Sequence, residues 1–151
     1  MKTIQIEIPE GFKIDSFDET TGQIKFAPVP KNIIERIKTL QDAINELGEQ
    51  DEQVIELRKL ENTGITNHIL FHQQAVVIAK ALQDGWEADF SDSNQFKYTA
   101  YFKASSSGGF VCSVFAYWNS YTTVGSRLCL PTSELAKYFG TQFIEIHNKY
   151  L

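Results

Sequence analysis

Apolar and polar residues alternate at the start of the chain, in Ile4-Gln5-Ile6-Glu7-Ile8, with the period of two expected of a half-buried strand. Pro9-Glu10-Gly11 interrupts the pattern, and Asp18-Glu19-Thr20-Thr21-Gly22 has the composition of a turn. Gln23–Ala27 alternates again, with Ile24 and Phe26 on one side, so the pattern predicts an N-terminal β-hairpin with a long connection, closed by Pro28 and Pro30. From Lys31 the spacing changes. Ile34, Ile37, Leu40, Ile44 and Leu47 recur at three and four residues, as on one face of a helix that stops at Gly48. Glu49–Leu60 is a second helical stretch, strongly charged, with Val54, Leu57 and Leu60 as its stripe. A third helix is predicted from a Thr66 cap to Asp84. Its apolar residues, among them Leu70, Val76, Val77, Ile78 and Leu82, cover more than one face, which predicts a central position.

The second half returns to period two. Lys97–Lys103 sets Tyr98, Ala100 and Phe102 against Thr99 and Tyr101, and Phe110–Trp118 alternates likewise. Ser105–Gly109 is a small-residue turn, Asn119–Gly125 a polar loop, and Ser126–Leu130 a short third strand. Three strands with short connections predict an antiparallel meander. Pro131-Thr132-Ser133-Glu134 starts a last helix with Leu135, Phe139, Phe143, Ile146 and Tyr150 as its buried stripe. Gly140 inside that helix costs roughly 1 kcal/mol relative to alanine. Either it admits a close approach by another backbone or it is simply tolerated. The expected architecture is α+β in a single domain, residues 1–151: an N-terminal β-hairpin, a helical middle, a three-stranded antiparallel meander, and a C-terminal helix packed on the sheet.

Composition narrows the function classes. The chain has 151 residues, of which 42% are hydrophobic and 22% charged, enough to build a core. With 14 Lys+Arg against 19 Asp+Glu the net charge is −5, which argues against coating nucleic acid or an anionic membrane surface. No apolar run approaches the ~20 residues of a membrane helix, and the N-terminus lacks the continuous apolar core of a signal peptide. A cytoplasmic location in a bacterial host cell is the expectation. The charge is uneven: residues 1–92 carry 9 Lys+Arg and 17 Asp+Glu, whereas 93–133 carry Lys97, Lys103 and Arg127 and no acid. Aromatics are skewed the same way, with 11 of 19 between Trp86 and Tyr121. This acid-free aromatic stretch is either a binding surface or a sheet core.

Little of the sequence carries assembled chemistry. His68 and His72 lie four apart on the third predicted helix, but no Glu follows at 69 and no third ligand is near; the remaining histidine is His147. Cys112 and Cys129 fall on strands that the meander sets side by side, with no neighbouring base to activate either thiol. Asp84, Glu87, Asp89 and Asp92 surround Trp86 in a stretch that reads as turn chemistry. Ser105-Ser106-Ser107-Gly108-Gly109 lacks the Lys-Ser/Thr ending and the helix of a phosphate loop. No catalytic residue, metal ligand or cofactor is assigned. The best binding candidate is the segment from Tyr117 to Arg127, whose aromatic faces, amide and guanidinium suit a flat ligand such as a sugar or base. Its candidate binding residues are Tyr117, Trp118, Asn119, Tyr121 and Arg127, with Trp86 upstream. Arg127 has the alternative of an internal pair with a carboxylate. Three positive charges are few for single-stranded nucleic acid.

Ser126-Arg127-Leu128-Cys129 followed by Glu134-Leu135-Ala136-x-Tyr138-x-Gly140-x-Gln142-Phe143 resembles a family of small, uncharacterised proteins encoded by phages and prophages of gut bacteria. Ile78-Ala79-x-Ala81-Leu82-x-x-Gly85-Trp86, Lys97-Tyr98 and Tyr117-Trp118 carry the same resemblance, which spans about Ile78 to Leu151. Ile37-Lys38-Thr39 and Asp42-Ala43 extend it more weakly. The resemblance implies no chemistry, and Leu130-Pro131-Thr132 stands where the family has an aromatic and a basic residue. The resulting expectation is a non-catalytic accessory protein of a phage or mobile element that binds a host or phage protein. Two alternatives stand beside it. One is a small-ligand or carbohydrate receptor using Trp118, Asn119, Tyr121 and Arg127. The other is a hydrolase using Asp84, Asp89 or Asp92 with His72.

Overall fold

A computed structural model describes residues 6–28, 32–122 and 126–151. The chain divides into two units, Met1–Asn32 and Ile33–Leu151. The first is an antiparallel hairpin of β1 (Phe12–Asp18) and β2 (Gln23–Pro28), bulged between Ile14 and Ser16. The Asp18 carboxylate accepts the backbone N–H groups of Thr20 (2.8 Å) and Thr21 (3.2 Å), which fixes the turn and hence the register. That register pairs Phe12 with Pro28, and a proline has no N–H with which to extend the ladder. The first strand therefore follows the Pro9–Gly11 break instead of preceding it. Ile6 and Ile8 lie outside any strand, and Ile4 and Pro30 lie outside the described residues. Phe12, Ile14 and Phe17 are exposed, and among its described residues this unit has no buried apolar side chain.

The second unit opens with helices. The single helix expected over Lys31–Leu47 divides into α1 (Ile33–Arg36) and α2 (Leu40–Leu47). A capping box causes the division. Thr39 Oγ1 accepts from the Asp42 N–H (3.1 Å) while the Asp42 carboxylate accepts from the Thr39 N–H (2.8 Å), starting a new helix. α3 (Glu52–Asn62) is capped by Asp51, and α4 (His68–Gln83) by Asn67, one residue beyond the predicted Thr66. α4 is the central helix that its sequence predicts. Ala75 through Ala79 are buried without interruption, and α2, α3 and α6 pack around it.

β3 (Lys97–Ala104) and β4 (Phe110–Trp118) form a second antiparallel hairpin, bulged at Ser113. The predicted three-stranded meander does not form. Ser126–Leu128 is a single 3-10 turn, and Leu130 alone bridges to Tyr98. The Cys129 N–H bonds back to Ser126 O at 3.4 Å and closes that turn, so only Leu130 lies along β3, while Gln83 Nε2 of α4 holds the outward-facing Cys129 carbonyl at 2.8 Å. The last helix likewise divides, into α5 (Ser133–Gln142) and α6 (Ile144–Tyr150), with non-helical Phe143 between them. The Thr132 hydroxyl caps α5 by accepting the Leu135 N–H at 3.2 Å. As expected, α5 packs on the sheet, and Gly140 is where they meet. A β-carbon there would lie 2.6 Å from Cys112 Sγ and 2.8 Å from Ala100 Cβ, so what approaches this glycine is side chains, not another backbone. The architecture is α+β: six helices and two small antiparallel sheets among the described residues.

Candidate functional site

The C-terminal run from Glu134 to Phe143 is largely structural. Leu135, Ala136, Gly140 and Phe143 of its pattern are buried, as is Phe139 between them. The Tyr138 hydroxyl reaches the carbonyls of Ile37 (2.7 Å) and Ile34 (3.2 Å), and Gln142 Nε2 donates to Lys38 O at 3.0 Å. The pattern thus ties α5 to the α1–α2 junction. A surface with nothing built upon it must be sought elsewhere, and the β3–β4 hairpin supplies one.

Pairing register sorts the hairpin into two faces. Ala100, Phe102 and Cys112 share the face that meets α5 and α6, where Phe102 lies 4.6 Å from the His147 ring. Asn148 of α6 completes the attachment like a short strand partner. Its Oδ1 accepts the Phe110 N–H (2.6 Å) and its Nδ2 donates to the Phe110 carbonyl (3.1 Å). Gly109 leaves room for that amide, since a β-carbon would stand 2.9 Å from Asn148 Oδ1. Farther along the same face Tyr98, Phe115, Tyr117 and Phe96 pack together with centroids 5.4–6.3 Å apart, edge to face for Phe96–Tyr117 and Tyr98–Phe115 and tilted for the other two pairs. Much of this cluster is open to solvent, Tyr117 at 57%. The opposite face carries Tyr101 (57% exposed), Val114 (53%) and Val111 (38%). Large apolar side chains are exposed together on both faces of the hairpin, whereas on the helices Ile55 (37%) and Ile69 (47%) are exposed singly.

A cavity of about 380 Å³ runs along β3. Thr99 and Tyr101 from one face and Ala100 and Phe102 from the other line it, so it follows the strand's outer edge. His72, Leu128, Tyr150 and Trp118 complete its apolar wall. Burial and the nearby Arg127 charge lower the pKa of His72, whose ring meets Tyr150 edge-on at 5.4 Å. His147 is wholly buried, and burial brings its pKa down to about 4. Its Nε2 donates to Phe139 O (3.1 Å), and its Nδ1 accepts from the Tyr150 hydroxyl (2.7 Å). This tautomer follows from the partners, because a carbonyl can only accept.

The six residues singled out in the sequence are not brought to one place. Trp118 lines the β3 cavity, with its indole Nε1 buried and without a partner among the described residues. Asn119 turns back to donate to Ser93 O at 2.6 Å, a loop-closing bond. Tyr117 is in the aromatic cluster and Tyr121 is 85% exposed. Arg127 lines a different cavity, with Glu52, Lys80 and Gln83, and Trp86 a third, beside Leu47 and Glu87. Arg127 forms no ion pair among the described residues. Lys97 is fully buried and gives its ammonium to the carbonyls of Gln95 (2.7 Å) and Asp92 (3.0 Å), so only Lys103 and Arg127 lend charge to the surface of the acid-free stretch.

The chemical alternatives find no constellation. Asp84 pairs with Arg36 at 2.9 Å. The Ser91 hydroxyl and backbone hold Asp89 below the usual carboxylate range, the reverse of what a general acid requires. Burial pushes both thiols, Cys112 and Cys129, upward, away from nucleophilic character. Among the described residues no cluster of three His, Cys, Asp or Glu side chains could hold a metal ion. None of their helices is long and apolar enough to cross a membrane. Sequence reasoning missed the cavity and its residues Tyr101, Phe102, His147 and Tyr150, because they converge only once α6 packs against the β3–β4 hairpin. No protein family, no characterised protein and no solved structure matches this chain.

Proposed function

We propose that the chain is a non-catalytic accessory protein of a phage or mobile element that acts by binding another protein through the β3–β4 hairpin. The observation that carries this reading is the exposure of Tyr101, Val114 and Tyr117 on a hairpin whose attachment to the helices is otherwise complete. Apolar groups of this size left in water, and clustered, mark interaction surfaces. The stretch from Ser93 to Ser133 is free of carboxylates and the hairpin presents Lys103, so a partner with an acidic rim fits. A sugar or small-ligand receptor on residues 117–127 would need Trp118, Asn119, Tyr121 and Arg127 to converge. Their separate placements do not favour it.

The test is affinity capture from lysogenic cells with the full chain as bait, wild type against a Tyr101→Lys, Val114→Lys variant. A Glu56→Lys bait on α3 serves as control. A partner retained by wild type and the α3 variant but lost from the hairpin variant supports the reading. A partner held equally by all three moves the interface off the hairpin.

A further inference from the structure

β3 is paired along one edge only. Tyr98 donates its N–H to Leu130 O (3.0 Å) and accepts at its carbonyl from the Leu130 N–H (2.7 Å), so its backbone groups point away from β4. Ser105, of the opposite parity, donates to Gly109 O at 2.9 Å, toward the β4 side. Backbone groups of alternate residues in an antiparallel strand face opposite edges. Ala100 and Phe102 therefore present their N–H and C=O groups to the same outer side as Tyr98. The extra residue of the bulge is Ser113 on β4, which leaves this alternation on β3 intact. None of these four groups is hydrogen-bonded to another described residue along that edge. A strand continuing back from Leu130 would have covered them, but the chain turns off into the Ser126–Leu128 3-10 turn.

The cavity lies along that uncovered edge. We propose that the outer edge of β3 takes an extended peptide segment of the partner protein, which adds as a third strand and sets an apolar side chain into the cavity. This rests on the protein-binding reading and names its mode. Strand addition is favoured over a small apolar ligand because a small ligand would fill the wall and leave the Ala100 and Phe102 backbone groups unmatched, whereas a peptide backbone supplies acceptors and donors at strand spacing. It is favoured over a second copy of this chain because His72 of α4 and Tyr150 of α6 line the same cavity as β3, and a second hairpin would bring its own packed α5 and α6 against them, whereas a single extended segment brings no helices. Exposed Lys103 at the end of β3 favours an acidic residue flanking the apolar one.

The test pans a displayed library of linear peptides on the full chain and titrates the enriched peptides by calorimetry. Four proteins are compared: wild type, Ala100→Pro, His72→Trp and Val114→Lys. Ala100→Pro removes a donor on the outer edge and leaves the ladder to β4 intact; His72→Trp fills the cavity from α4; Val114→Lys alters the exposed face only. The expected result is enrichment of peptides with apolar residues at every second position. Their Kd weakens about tenfold in Ala100→Pro, roughly one hydrogen bond's worth, at least as much in His72→Trp, and less in Val114→Lys than in either edge variant. Amide exchange at Ala100 and Phe102 slows in the complex. Should Ala100→Pro fail to fold, His72→Trp and the exchange measurement decide alone. Peptides that depend on Val114 and ignore the edge variants would overturn strand addition while leaving protein binding by the hairpin standing. Absence of any enriched peptide would overturn it too, as would unchanged exchange at those two amides. So would saturable uptake of neutral N-phenyl-1-naphthylamine with no peptide binding.

Discussion

His147 makes stability depend on pH in a way that can be calculated. It is wholly buried against Phe139 and Phe102 and accepts the Tyr150 hydroxyl, so the folded chain holds it neutral with a pKa of about 4, against 6.5 in the unfolded chain. Between those values the unfolded state binds a proton that the folded state refuses. The contribution is fully present above pH 6.5 and falls by about 1.4 kcal/mol per pH unit below it. By pH 4 the loss amounts to about 3 kcal/mol, a large share of an ordinary domain's stability. His72 titrates with the same sign, its pKa lowered by burial and Arg127. Comparison with His147→Gln isolates the buried group, and urea midpoints at half-unit steps from pH 4.5 to 7.5 are the assay. Wild type should lose stability steadily on acidification while His147→Gln, less stable at pH 7.5, shows a flatter profile. Parallel profiles for the two proteins would refute the reasoning. The lowered carboxylates, such as Asp51, act below this window, near pH 4 and under, and do not mimic the effect.

Three further substitutions probe how the hairpin and α5 are attached to the rest of the second unit. Gly140→Ala gains about 1 kcal/mol of helix propensity but drives a methyl into Cys112 Sγ and Ala100 Cβ, an overpacking cost of about 1–3 kcal/mol. Its Tm in scanning calorimetry should fall, and a rise would show that the α5–sheet contact is looser than described. Asn148→Ala deletes both bonds to the Phe110 backbone and should cost about 1 kcal/mol in a urea titration. Amide exchange should quicken around Phe110 and stay unchanged in α4. Tyr138→Phe leaves the Ile34 and Ile37 carbonyls without their hydroxyl donor and should destabilise by about 1 kcal/mol, read in the same titration.

What was legible in the sequence was periodicity. The all-round apolar run of α4 announced its central position, and the alternating segments before and after Ser105–Gly109 became β3, one residue longer than predicted, and β4 at its predicted ends. What was not legible were interruptions made by hydrogen bonds. Thr39 and Asp42 divide one apolar stripe into two helices without breaking its spacing. Ser126–Leu130 closes into a turn through the bond from the Cys129 N–H to Ser126 O and is tied to α4 by Gln83, 46 positions away, neither of which its apolar and polar spacing reveals. Alternation also cannot say on which side of Pro9–Gly11 the first strand falls, because the Asp18 turn sets that register. The candidate residues were chosen for their side-chain chemistry, which is visible in sequence. Their convergence is not, and Arg127, Trp86 and Trp118 line three different cavities. The binding surface proposed instead is set by the sidedness of the hairpin, and the sequence alone does not say which face the α5–α6 pair covers.

The most direct measurement places a photo-crosslinking benzoylphenylalanine at Tyr101, at Tyr117 and, as a reference, at Glu56 on α3, all of them solvent-exposed. Irradiation in lysogenic cells followed by mass analysis reads which surface meets a protein. Binding through the hairpin predicts the same adduct from Tyr101 and Tyr117 and none from Glu56. An adduct from Glu56 alone, or from none of the three, would contradict it.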